Sequence, residues 1–127
     1  RTYGFGTIEE LELLREAGFH PLEVNRAATL SGAEALGAAD RIGSIEAGKL
    51  ADLVVLGENP LANLKVLYGT GHARLGADGR LHRVGGVRYT IKGGLVYDAP
   101  ALLADVRRMV AEEKARRGIT TYPQPGD

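Results

Sequence analysis

Gly43-Ser44-Ile45-Glu46-Ala47-Gly48-Lys49-Leu50-Ala51-Asp52-Leu53-Val54-Val55-Leu56 decides how the rest of the chain is read. A turn punctuated by two glycines, with Lys49 between Gly48 and Leu50, runs straight into an apolar segment whose one charge, Asp52, stands at its entrance. Four consecutive apolar residues, two of them β-branched, predict a short buried strand within Leu50 to Leu56. A strand without alternation needs cover on both faces. Gly43 and Gly48 are expected to supply turn conformations that a Cβ resists. Asp52 is expected to bond backbone N–H groups at the strand entrance. Lys49, between Gly48 and Leu50, could be read as a catalytic lysine.

Upstream of this seam the pattern is helical. Thr7 and Glu10 predict a capping box, followed by Ile8, Leu11, Leu14 and Ala17 at helical spacing, with Gly18 closing the helix. Pro21 suits the first turn of a second helix whose buried side would be Leu22, Val24, Ala27, Ala28 and Leu30. Ser31 and Glu34 predict a second capping box that opens a short helix ending near Gly37.

Downstream the pattern changes to β. Leu64, Val66 and Leu67 suggest a strand or an extended edge. Gly69 to Gly86 reads as a long loop or loose hairpin about Asp78-Gly79, and Val87–Lys92 with Leu95–Tyr97 around Gly93-Gly94 is the strongest hairpin signal. Asp98 and Pro100 predict the start of a final helix, to about Arg117. Leu102, Leu103, Val106, Met109 and Val110 fall on one side of it, and basic residues complement the dipole at its end. Ile119 to Asp127 reads as a mobile tail.

Composition narrows the classes. A chain of 127 residues, 44% hydrophobic and 25% charged, suits one modest core. Sixteen basic residues balance sixteen acidic ones, which gives no reason to expect nucleic acid or an anionic membrane as partner. The absence of cysteine excludes disulfides and thiolate chemistry. No apolar run approaches the roughly 20 residues that span a bilayer. A chain that opens on Arg1 and a Gly-rich turn reads as the middle of something larger, and it favours no compartment.

Taken together, Gly18-Phe19-His20-Pro21-Leu22-Glu23, Arg26-Ala27-Ala28-Thr29-Leu30-Ser31-Gly32-Ala33, Leu36-Gly37, the stretch Arg41 to Leu56, Asn59-Pro60-Leu61 and Val87 to Asp98 resemble the C-terminal portion of the metal-dependent amidohydrolases, nearest the imidazolonepropionase-like and prolidase-like branch. The resemblance covers roughly residues 6 to 110. It implies an α/β fold: terminal helices of an incomplete (β/α)₈ barrel (1–38), then C-terminal strands of a small β-sandwich (39–98), then a final helix and tail (99–127). It implies a parent enzyme in which one or two divalent metal ions, zinc by expectation, activate water to cleave a C–N bond in a dipeptide or cyclic amide. Strands absent here would cover the seam strand, and the resemblance makes Lys49 a structural residue near the barrel–sandwich junction rather than a catalytic one.

The metal ligands of that family find no counterpart. There is no His-x-His pair, the eighth-strand Asp would lie upstream of Arg1, and Asp40 and Asp52 fall past the barrel helices. No metal ligand and no catalytic residue is therefore assigned to this chain. Among its three histidines, His20 is expected to cap a helix, while His72 and His82 are placed on solvated loops. A zinc site built from the three is the weaker alternative. Arg1, Thr2 and Tyr3 would end the eighth βα loop, where such barrels hold their active sites, and are the substrate-contact candidates, with Arg1 suited to a carboxylate. The expected partners are the missing N-terminal part of the same protein or a complementary chain, a small amide or peptide substrate, and further copies in an oligomer. A non-catalytic remnant or assembly module is the rival reading.

Overall fold

The computed structural model describes residues 5–119. Helix α1 (Gly6–Glu16) is followed by α2 (Pro21–Arg26), a π-turn (Ala27–Ser31) and α3 (Gly32–Ala35). Strand β1 (Leu53–Leu56), a 3₁₀ turn (Leu64–Leu67), β2 (His72–Leu75), β3 (Leu81–Val84), β4 (Val87–Lys92), β5 (Leu95–Asp98) and α4 (Ala99–Arg116) complete the order. The chain is thus mixed α/β, with two small antiparallel sheets and a final helix.

Helix α1 starts earlier than the Thr7 capping box predicts. Phe5 is its N-cap, and the Phe5 carbonyl accepts from the N–H groups of Ile8 and Glu9. The Phe5 ring leans on Tyr68, with centroids 5.8 Å apart, and this contact sets the entry in place of a hydroxyl cap. Its end follows expectation: Gly18 takes φ +100°, and the N–H groups of Gly18 and Phe19 bond back to Arg15 and Leu14, satisfying carbonyls of the last turn.

The second helical run is one continuous body, with no fresh start at Ser31. Ser31 lies in helical conformation and makes no capping bond, while Glu34 pairs instead with Arg26 at 2.9 Å. The Thr29 hydroxyl donates to the Asn25 carbonyl at 2.7 Å, where the helix widens into the π-turn. Val24 is fully buried, whereas Leu22 is 58% exposed and Ala27 and Ala28 face outward, contrary to the expected stripe.

Leu11, Val24 and Leu64 form the core, with Ile8, Leu14 and Leu67 packed around them. Leu64 arrives there on the 3₁₀ turn rather than on a strand. Asn63 explains the difference: its side-chain carbonyl accepts from Lys65 N–H at 3.0 Å and its backbone carbonyl from Val66 N–H at 3.2 Å, so local bonds replace a ladder. Val66 is fully buried, and its carbonyl accepts from Gly86 N–H at 3.0 Å.

The three-stranded sheet has the order β1-β4-β5, and β2 pairs with β3 about the Asp78-Gly79 turn. β1 is therefore an edge strand. Val54 and Val55 are 55% and 40% exposed, so the strand expected to be buried has open faces within the described residues. Its register with β4 skips: Val55 faces Tyr89 and Leu56 faces Val87, which leaves Arg88 as the extra residue of a bulge. Helix α4 packs on β4 and β5, is capped by Asp98 through Ala101 N–H at 3.0 Å, and buries no residue fully.

Candidate functional site

Among the described residues, the most chemically varied cleft lies where the first turns of α1 meet the chain between the 3₁₀ turn and β2. Phe5, Glu9, Glu12, Lys65, Tyr68, Thr70, Gly71 and His72 line a space of about 350 Å³. The Tyr68 hydroxyl donates to Glu12 at 2.7 Å, and Lys65 stands 4.0 Å from the same carboxylate. That hydrogen bond, with the negative charge behind it, pushes the Tyr68 phenol up to about 12. Tyr68 is thus a neutral donor at any physiological pH, fixed by Glu12 and braced by the Phe5 ring.

His72 sits on β2 and not on a loop. Asn63 fixes its tautomer. Because the Asn63 carbonyl oxygen accepts from Lys65 N–H, its amide nitrogen faces His72 Nε2 at 3.1 Å. Nε2 must accept, so in the neutral ring the proton sits on Nδ1. That Nδ1 is buried and has no partner. An unmatched buried donor costs about 1–3 kcal/mol. His82 is likewise on a strand, β3, where Nε2 lies 2.9 Å from Asp78, and this bond holds the Asp78 carboxyl below its ordinary value. His20 caps α2 as expected: Nδ1 accepts from Leu22 N–H at 3.3 Å, and Glu23 returns a bond to His20 N–H at 2.7 Å.

The seam turn is held by side chains in structural roles. Lys49 donates to Ser44 and to Glu46, the latter at 3.0 Å, with only 12% of its side chain exposed. Bonds from Ser44 and then Lys49 hold the Glu46 carboxyl below its ordinary value. Gly43 (φ +93°) is tight as well as turned. A Cβ there would stand 2.6 Å from the Ala33 Cβ and 3.0 Å from the Leu30 Cα. Asp52 accepts from Lys92 Nζ and from Gly93 N–H at 2.8 Å, tying the entrance of β1 to the β4–β5 turn, and the Lys92 bond lowers its carboxyl first of all.

Arg1, Thr2 and Tyr3, the substrate-contact candidates, lie outside the described residues, as does the tail beyond Ile119. Among the described residues no three His, Asp or Glu side chains come together in a way that could hold a metal ion. The chain's own described residues therefore do not fit the metal that the resemblance implies. Tyr68, Glu12 and Asn63 escaped the sequence reading because the Tyr68–Glu12 bond joins residues 56 positions apart, with no motif to link them.

A model of the amidohydrolase family matches residues 5–80, more than half of the chain and all of the seam turn and β1. The chain belongs to the amidohydrolase family. It is similar to the imidazolonepropionase of Phocaeicola vulgatus, 47% identical over 75 residues that make up 58% of this chain and 14% of that protein. It is similar also to the imidazolonepropionase of Geobacillus kaustophilus, 41% identical over 56 residues, 44% of this chain and 13% of that protein. In three dimensions it matches a Xaa-Pro dipeptidase crystallised with methionine in its active site, with a TM-score of 0.56 and 31% identity over 72% of this chain and 18% of that one. The amidohydrolase chain described here thus spans less than a fifth of the length of each of these relatives. Helix α4 and the β4–β5 hairpin lie past the residues that the family model matches.

Proposed function

We propose that this chain is the C-terminal segment of a metal-dependent hydrolase that cleaves a C–N bond in a small amide, either a dipeptide or a cyclic amide. The family match over residues 5–80 carries this reading. The imidazolonepropionases and the Xaa-Pro dipeptidase among its relatives favour those two substrate classes. A divalent ion, zinc by expectation, would be held by residues outside this chain, so no step of the reaction is routed through the residues described here. Their part is to back the barrel and carry the sandwich. Arg1, Thr2 and Tyr3, separated from Phe5 by Gly4 alone, would contact substrate, with Arg1 paired to a carboxylate.

The test is made on the whole protein. Metal analysis should find a stoichiometric divalent ion, and the loaded protein should hydrolyse a Xaa-Pro dipeptide or a cyclic amide. Absence of both activities in a fully loaded sample rejects the reading. Arg1→Ala should raise KM for a substrate bearing a carboxylate by about tenfold, the size of one lost charged hydrogen bond, and leave one without it unaffected.

The open faces of β1 and the exposed apolar side of α4 favour a second body of protein over this chain, either the N-terminal part of the same polypeptide or a complementary chain that splits the enzyme in two. Reading the coding DNA upstream of Arg1 separates them. An open frame with an Asp shortly before Arg1 and a His-x-His near its start supports one polypeptide, and a start codon at that point supports a partner chain.

A further inference from the structure

A second cleft, of about 340 Å³, opens between α4 and the strand ends beneath it. Three arginines line it from different elements: Arg83 from β3, Arg88 from β4 and Arg107 from α4. Its other walls include Gly57, Gly69, Gly85 and Gly86, so no side chain fills it from those positions. Glu58 is the one acidic lining residue, and its carboxylate is already paired with Arg74 at 3.3 Å. Arg83 is anchored by a bond to the Thr70 carbonyl at 2.8 Å, which leaves most of its five N–H donors available. Among the described residues neither the Arg88 nor the Arg107 side chain has a hydrogen-bond or ion-pair partner.

The backbone brings Arg88 to this position. It is the extra residue of the β1–β4 bulge, and bulges re-aim a side chain at some loss to the ladder. The result is visible at Gly57, where a Cβ would lie 3.4 Å from Arg88 Nε. On the outer face of α4, by contrast, arginines are matched: Arg108 with Asp105 and Glu112, and Arg116 and Arg117 with Glu113. Arg41 and Arg80 also lack side-chain partners but stand singly on the surface, whereas Arg88 and Arg107 share a hollow with Arg83.

We propose that this cleft is a binding site for a small soluble phosphomonoester, with Arg83, Arg88 and Arg107 as the phosphate ligands. Guanidinium groups supplied from three elements approach from several directions, which suits a tetrahedral dianion better than a flat carboxylate. The volume falls in the range of small-molecule sites and leaves room for a short organic body beside the phosphate. The site is independent of the hydrolase reading.

The experiment is titration of the whole protein with inorganic phosphate at constant ionic strength, chloride balancing, followed by calorimetry and by amide NMR shifts. Saturable binding is expected, with shifts centred on Gly85, Gly86 and Arg88. Arg88→Ala and Arg107→Ala should each weaken it about tenfold, as loss of one charged hydrogen bond does, and Arg116→Ala should leave it unchanged. Should Arg88→Ala fail to fold, Arg88→Lys, which keeps the charge without the fork, and Arg107→Ala on an exposed helix face carry the same test. Binding that does not saturate, that Arg116→Ala weakens equally, or whose shifts lie elsewhere overturns the proposal. So does tighter binding of succinate than of phosphate.

Discussion

The helical half of the molecule and its sheet half spend their apolar residues differently. Around α1, α2 and the 3₁₀ turn, Leu11, Val24 and Leu64 are buried against one another, and Val66 is buried close to Leu64 in the chain. On α4, Leu102, Val106, Met109 and Val110 recur at helical spacing and are yet 53%, 55%, 60% and 47% exposed. Both stripes look alike in sequence. The first has found its partner within the chain, and the second has not among the described residues. Periodicity therefore reports that a helix has an apolar face but not what covers it.

The contrast can be broken most directly by truncation. Val24→Ala and Val66→Ala should each cost about 2 kcal/mol, by lost transfer energy plus the cavity left behind, in urea unfolding of the 127-residue chain. Val106→Ala and Met109→Ala, in the same assay, should cost no more than about 0.5 kcal/mol. Equal costs on the two stripes would mean that α4 is covered in solution, and sedimentation would then show a dimer. Gly43→Ala probes how the turn meets the helices. It must accept a positive φ and a contact of 2.6 Å with Ala33, so a loss of about 2 kcal/mol is expected from the unfolding midpoint.

Two polar ties sharpen the comparison by pH. Tyr68 joins α1 to the chain before β2, and its phenol is raised from 10.0 to about 12. The folded form holds that proton more tightly than the unfolded one, so the tie contributes fully below about pH 10 and is lost as pH rises towards 12. Tyr68→Phe should abolish that slope. Asp52, by contrast, has its carboxyl lowered, chiefly by Lys92 and then by Gly93 N–H. The unfolded state takes up the proton first, so this contribution is present above the ordinary carboxylate range near pH 4 and fades as pH falls through the lowered folded value. Asp52→Asn should lower the melting temperature modestly at pH 7, with the difference from wild type vanishing in acid. It is the smallest of these effects, since Lys92 is largely exposed.

These ties also mark what was readable beforehand. Features decided by neighbours along the chain were legible: the Gly93-Gly94 hairpin, the Asp98 cap with Pro100, the His20 cap and the Gly18 ending. Features decided by distant contacts were not. Phe5 starts α1 because Tyr68 is there to receive its ring, and Asn63 curls the chain that hydrophobicity alone would extend. β1 was read as buried because four apolar residues in a row carry no direction, and nothing local says that one edge stays open. The arginine cleft depends on one skipped register position, which composition does not encode.

The π-turn at Ala27–Ser31 has a consequence for kinship. A π-turn holds one residue more than an α-turn over the same span. Removing a single residue there would restore a regular helix while Val24 on one side and Ala33 on the other kept their places. In a segment where insertions are ordinarily ruinous, this helix carries a ready-made slack link, and homologues one residue shorter across it would still superpose on both flanks.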